Sequence, residues 1–191
     1  MDHIKTASAN YPVIDVIKKR WSARAFNNKN ISEKDLFTIF EAASWAASAN
    51  NEQPWQYLFA RNGNEGFDKI WKCLMPGNQP WAKDANLLVV SIARKTIASN
   101  QKPNYYAHHD LGMANAHLLL QATAIDIYCH PMAGFDKTML TEELNLDTDQ
   151  EAMCVIALGY LADAETLEEP FKTRELTPRT RKNLESFVFE I

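Results

Sequence analysis

The chain has 191 residues, 46% hydrophobic and 23% charged, which is the length and balance of one globular domain that can bury a core. Its formal net charge is −4 and no block of five or six basic residues occurs, so the attraction that dominates nucleic-acid binding has no source. No stretch reaches the roughly 20 apolar residues that span a bilayer, and Lys5, Asp15, Lys18 and Lys19 break up the first twenty, so neither a signal peptide nor a membrane anchor is read and the expected location is the cytoplasm.

In chain order, Val13, Val16 and Ile17 repeat at helical spacing and predict a first helix over 13–20. Ser32 is a good N-cap, Asp35 follows at the third helical position, and Ile31 can staple onto Leu36. The second helix therefore starts at 33, buries Leu36, Ile39, Phe40, Ala43 and Ala47, and ends near 48–51. Strands are expected at 55–60 and at 86–93, the latter buried through its Leu-Leu-Val-Val run, with a short helix at 67–74 between them. From 105 to 124 the pattern is helical but apolar on nearly every side, which in so short a chain calls for a second subunit to cover one face. Strands at 127–130 and 152–158 follow, with a helix at 137–145 capped by Asp136 between them. Helices and strands mix without regular βαβ alternation, so the class is α+β. Cys73, Cys129 and Cys154 are odd in number, far apart and set among apolar residues, as buried reduced thiols are.

Three features carry chemistry. Arg20, Ser22 and Arg24 alternate after the first helix, so an extended stretch aims two cations and a hydroxyl to one side; a phosphate site and an exposed basic turn share this pattern. Asn51-Glu-Gln53-Pro54-Trp55 sets two carboxamides beside a rigid corner, suited to a heterocycle or a sugar chain, and equally to a structural turn. His130-Pro131-Met132-Ala133-Gly134 follows a strand with small residues, where backbone N–H groups can approach a flat ligand.

Their order along the chain resembles the nitroreductase family: Arg20-x-Ser22-x-Arg24-x-Phe26, then Ser48-x-x-Asn51-x-Gln53-Pro54-Trp55, then Pro131-x-x-Gly134, then Arg179-x-Arg181. The resemblance covers essentially the whole chain. It implies a mostly antiparallel central sheet flanked by helices and an intertwined homodimer, with 1–191 a single FMN-binding domain and 160–191 an extension packing on the partner. It also implies a phosphate cradle of Arg20, Ser22, Arg24, Arg179 and Arg181, with Trp21 beside it. Ser48, Asn51 and Gln53 are implied at the flavin's ribityl chain and ring edge, supplied by the partner subunit, and Asn78 matches a flavin-contacting asparagine. Pro131, Met132, Ala133 and Gly134 would form the loop whose N–H groups, those of Ala133 and Gly134 above all, face flavin N5 and O4. Ala133 stands where many members carry glutamate, and Ala47-Ser48-Ala49 where many carry a longer hydroxyl run, so fewer side chains serve the flavin here.

The activity implied is electron transfer from NAD(P)H to nitroaromatics, quinones or similar electron-poor acceptors in two half-reactions at one site. Rival readings are a flavin-storage protein and a specialised branch performing flavin fragmentation, dehalogenation or semialdehyde reduction. No metal site is expected: His108, His109 and His117 offer no i, i+4 pair, and Asp147-Thr-Asp149 lacks the other ligands of a calcium loop. These histidines are read as solvated or hydrogen-bonded near the pocket mouth, where Tyr105 and Tyr106 also fall.

Overall fold

The computed structural model describes residues 3–191. Four strands, β1 (Trp55–Arg61), β2 (Leu87–Arg94), β3 (Tyr128–Met132) and β4 (Gln150–Gly159), form one antiparallel sheet in the order β1-β2-β4-β3. The Leu-Leu-Val-Val run places β2 at the centre, and its residues 87–93 are buried. Alternation along it splits the core. Leu88, Val90 and Ile92 face α3 (Glu65–Lys72), α4 (Gln79–Ala82) and α6 (Lys137–Glu143), with Phe67, Trp81 and Leu140. Leu87 and Val89 face α2 (Glu33–Ser44) and α5 (Ala107–Ala124), with Leu36, Ile39, Leu118 and Ala122.

The expected caps are present. Ser32 Oγ accepts from the Asp35 N–H at 3.0 Å, and Asp136 accepts from the Met139 N–H at 2.9 Å. Several helices end earlier than their patterns suggest, α3 among them at Lys72 rather than 74. α2 stops at Ser44 because Ser44 Oγ donates to the Glu41 carbonyl and the Trp45 and Ala46 N–H groups turn back onto Ala42 and Ala43. Ala47 is therefore exposed rather than part of the core stripe, while Phe40, half-buried, packs against the core as expected. α6 ends at Glu143, short of 145. α4, with Pro80 in its first turn, and α7 (Phe171–Leu176) have no counterpart among the expected elements.

α5 buries Ala107, Asp110, Leu111, Ala114, Leu118, Ala122 and Thr123 against the sheet. Within the chain its opposite face is open: Gly112, Ala116 and Ala124 are exposed, with Met113, Leu119 and Leu120 half-covered beside them. Cys73 and Cys129 are buried, Cys154 is half-buried, and none is paired.

α1 (Asp15–Lys19) buries no residue of its own and hands the chain at Arg20 to an extended arm. In that arm Trp21, Ala23 and Ala25 are buried while Ser22 and Arg24 are half-exposed, so the alternation does aim the polar residues to one side. The arm docks on the sheet by a bridge from Phe26 to Leu161, just past β4. Gly159 permits the approach, since a Cβ there would stand 2.6 Å from the Phe26 ring.

Candidate active site

Three segments converge on one end of the arm. Arg24 lies over the Trp81 ring of α4, 5.8 Å from its centroid, and Trp81 packs at 4.4 Å on His130 of β3. The His130 Nδ1–H in turn donates to the Ala23 carbonyl at 2.9 Å. Burial, and next the charge of Arg24, lowers the His130 pKa to about 4, so the ring is neutral at physiological pH and serves as a strut rather than a base.

The loop after β3 adjoins these groups through Asn78, whose Nδ2 donates to the Gly134 carbonyl at 3.0 Å. Met75 N–H shares that carbonyl. A Cβ on Gly134 would stand 2.9 Å from Asn78 Nδ2, so a larger residue there would make the Asn78 amide shift. Pro131 and Met132 complete β3, with the Met132 side chain in the core. Among the described residues, no carbonyl or side chain takes the N–H of Ala133 or of Gly134, leaving two adjacent main-chain donors beside an exposed methyl.

At the other side of the arm, Arg179 is held by main-chain carbonyls: Nε donates to Lys5, Nη1 to Arg20, both at 2.6 Å, and Nη2 to Lys18. Arg181 is exposed and donates to Thr180. Burial, then the like charge of Arg181, lowers the proton affinity of Arg20; burial, then Arg20 and Arg181, does the same to Arg179. Arg20 and Arg179 remain cationic at neutral pH. Arg20, Arg24, Arg179 and Lys5 thus crowd together, with Glu175 the carboxylate acting on Lys5 and Arg24. Such a surplus of positive charge suits a multiply charged anion.

Loop 48–53 stands apart from this group. Asn50, Asn51 and Gln53 have φ of 51°, 58° and 48°, left-handed values that side chains resist, and the loop keeps them by bonding to itself. Gln53 N–H donates to Ser48 Oγ at 3.1 Å and Gln53 Nε2 to the Asn51 carbonyl at 3.1 Å. Its anchor is Asp110 of α5, a buried carboxylate that accepts from the Ala49 N–H at 2.9 Å and meets His109 Nδ1 at 2.9 Å. The exposed Asn51 and Gln53 make no hydrogen bond to the arm among the described residues.

Sequence reasoning named His130 only as the start of the loop motif, not as a packing partner of Trp81, and missed Trp81, Glu175 and the anchoring role of Asp110. Trp81 and His130 carry no spacing signal, and Asp110 was visible only as a neighbour of His109. The histidines of α5 are hydrogen-bonded, His108 to Glu151, His109 to Asp110 and His117 to the Ala42 carbonyl. Among the described residues no three His, Cys, Asp or Glu side chains gather as a metal site would require. A cleft of about 870 Å³ opens past the end of the arm, between Phe26, Asn27, Arg61 and Asn86. The Asn27, Asn62 and Asn86 amide nitrogens donate to the Leu161, Ala85 and Asn27 carbonyls, which ties the loops together there.

Comparison with known proteins places this geometry. A crystal structure described as an oxidoreductase containing FMN superposes with a TM-score of 0.93 at 33% identity, covering 100% of this chain and 97% of that one. A nitroreductase family protein of Streptococcus pneumoniae TIGR4 shares the fold at a TM-score of 0.75 and 20% identity, over 92% of this chain and 98% of the other. In sequence, the "Putative NADH dehydrogenase/NAD(P)H nitroreductase" of Rhodopseudomonas palustris TIE-1 is 25% identical over 162 residues, 75% of this chain and 81% of its own. The profile of the nitroreductase family matches residues 17–75 and 71–160, spanning the arm, loop 48–53, Asn78 and the 131–134 loop alike, and the chain belongs to that family.

Proposed function

We propose that this chain is an oxidoreductase that holds FMN non-covalently and passes electrons from NAD(P)H to small electron-poor acceptors such as nitroaromatics or quinones. The observation that carries the reading is the crowd of guanidinium groups around the arm, set next to two unclaimed main-chain donors at Ala133 and Gly134. The first suits a phosphate and the second the polar edge of a flat ring. FMN carries both on one molecule, and the 33% identical relative is described as containing it.

Arg20, Ser22 and Arg24 would hold the phosphate, with Arg179 and Arg181 closing its far side and Trp21 supplying main chain between them. Asn78 and the 131–134 loop would take the ring edge, where the Ala133 and Gly134 N–H groups supply donors at the place negative charge collects, as an oxyanion hole does. Bound flavin supplies the redox chemistry, accepting hydride from a nicotinamide and yielding electrons to the acceptor. The chain's own part is to bind, orient and polarise, and the neutral His130 strut adds no proton transfer to that list.

Ser48, Asn51 and Gln53 would complete the site from a partner subunit. Three observations support a homodimer: loop 48–53 makes no bond to its own arm, α5 leaves Gly112, Ala116 and Ala124 uncovered, and the end of the chain leaves Phe187, Val188 and Phe189 exposed. Residues 160–191 would then pack in part on the partner, and the chain as a whole would form one flavin-binding unit.

The test is the visible spectrum of the purified protein followed by anaerobic titration with NADH and NADPH. A flavin band that bleaches on titration is expected. A bound flavin that neither nucleotide reduces would replace the enzyme by a storage protein, and a protein that takes up no FMN would end the reading.

A further inference from the structure

Glu175 lies on α7, outside every motif that brought the site to light. Its side chain is 4% exposed, so a carboxylate has been taken almost wholly out of water. What it meets there is the arm: Oε1 accepts from the Arg24 N–H at 2.9 Å and from the Ala25 N–H at 3.2 Å. Those two amides belong to an extended segment with no strand partner of its own at that point, and without Glu175 they would be buried and unpaired. The second oxygen, Oε2, has no hydrogen-bond partner and stands 3.9 Å from Arg24 Nη1. That is close enough for charge to act and too far for a hydrogen bond. The carboxylate therefore grips the backbone of Arg24 and leaves its guanidinium donors free.

We propose that Glu175 is a positioning residue for the phosphate arm, fixing the main chain at Arg24 and Ala25 so that the Arg24 guanidinium is presented to an incoming phosphate. The inference rests on the flavin reading above. It gives the segment after β4 a defined role, in which Arg179 holds the arm at the Arg20 carbonyl and Glu175 holds it further along at Arg24.

The experiment compares dissociation constants for FMN and riboflavin, which differ by the phosphate alone, in wild type, Glu175→Ala, Glu175→Gln, Arg24→Ala and the Arg24→Ala/Glu175→Ala pair. Glu175→Ala should weaken FMN about tenfold while riboflavin changes less than about twofold. Glu175→Gln keeps an oxygen for both amides and should hold FMN within about threefold of wild type. With Arg24 already removed, the further loss from Glu175→Ala should shrink to about twofold. A merely structural Glu175 would weaken both flavins alike, and that result overturns the proposal, as does an unchanged FMN constant. A wild type that binds FMN no tighter than riboflavin overturns the phosphate reading and this proposal with it. Should Glu175→Ala not fold, amide exchange in the flavin-free wild type decides: protected Arg24 and Ala25 N–H groups are expected, and free exchange at both refutes the contact.

Discussion

In the proposed flavin site, Ala133 would act through its main chain. Its side chain is an exposed methyl, and the useful group is the N–H that no protein acceptor takes. Ala133→Pro deletes that donor while Ala133→Gly keeps it. On flavin-saturated protein, stopped-flow reduction by NAD(P)H should slow by about 10²–10³ in the proline variant, roughly 2.7–4 kcal/mol by analogy with loss of one oxyanion-hole donor. The glycine variant should stay within several-fold, and a proline variant reduced at normal speed would remove this N–H from the mechanism. His130 offers a second residue-level test, through pH. Its folded pKa of about 4 lies below the ordinary 6.5, so between these values the unfolded chain binds a proton that the fold refuses. Stability is therefore unaffected by this group above pH 6.5 and falls as pH drops toward 4, by roughly 3 kcal/mol in full. Denaturant unfolding at pH 7 and pH 4.5 should show the loss, and His130→Gln should flatten that part of the slope. Equal slopes in the two proteins would mean that His130 is not the buried neutral base the geometry makes it.

Among the elements, α5 and loop 48–53 are joined through Asp110, and the strained loop depends on that junction. Asp110→Ala removes a carboxylate acceptor from the half-buried Ala49 N–H and should cost about 1.5–3 kcal/mol of stability, with loss of amide-exchange protection at Ala49. Unchanged protection there would show that the loop holds its left-handed residues without help. The legibility of these elements in the sequence followed how locally each is specified. β2 announces itself because a strand buried on both faces must be apolar throughout, and α2 and α6 because Ser32 and Asp136 each cap an orphan amide. α4 and α7, of four and six residues, are set by what they pack against, and neither is long enough to show a helical period. The arm was legible for the reason β2 was: alternation in Arg20-x-Ser22-x-Arg24 survives as alternate burial. Glu175 and Arg179 act on that arm from more than 150 positions away, a distance at which no spacing rule speaks.

For the molecule as a whole, the arm and loop 48–53 share no hydrogen bond within one copy, and under the proposed function they would be two halves of one site. If each site takes its arm from one subunit and its loop from the other, Arg20→Ala and Asn51→Ala proteins, each inactive alone, should regain activity when mixed under subunit exchange. One of the two sites in the mixed dimer is then free of both substitutions. Light scattering that finds a stable, flavin-loaded monomer would refute the shared site. The contacts from Arg24 to Glu175 and from Arg20 to Arg179 span 151 and 159 positions of sequence. During synthesis on the ribosome the arm therefore emerges about 150 residues before the groups that hold it in place. The strands of the sheet are complete at Gly159, so a nascent chain can lay down the sheet while the arm still lacks the two side chains that pin it.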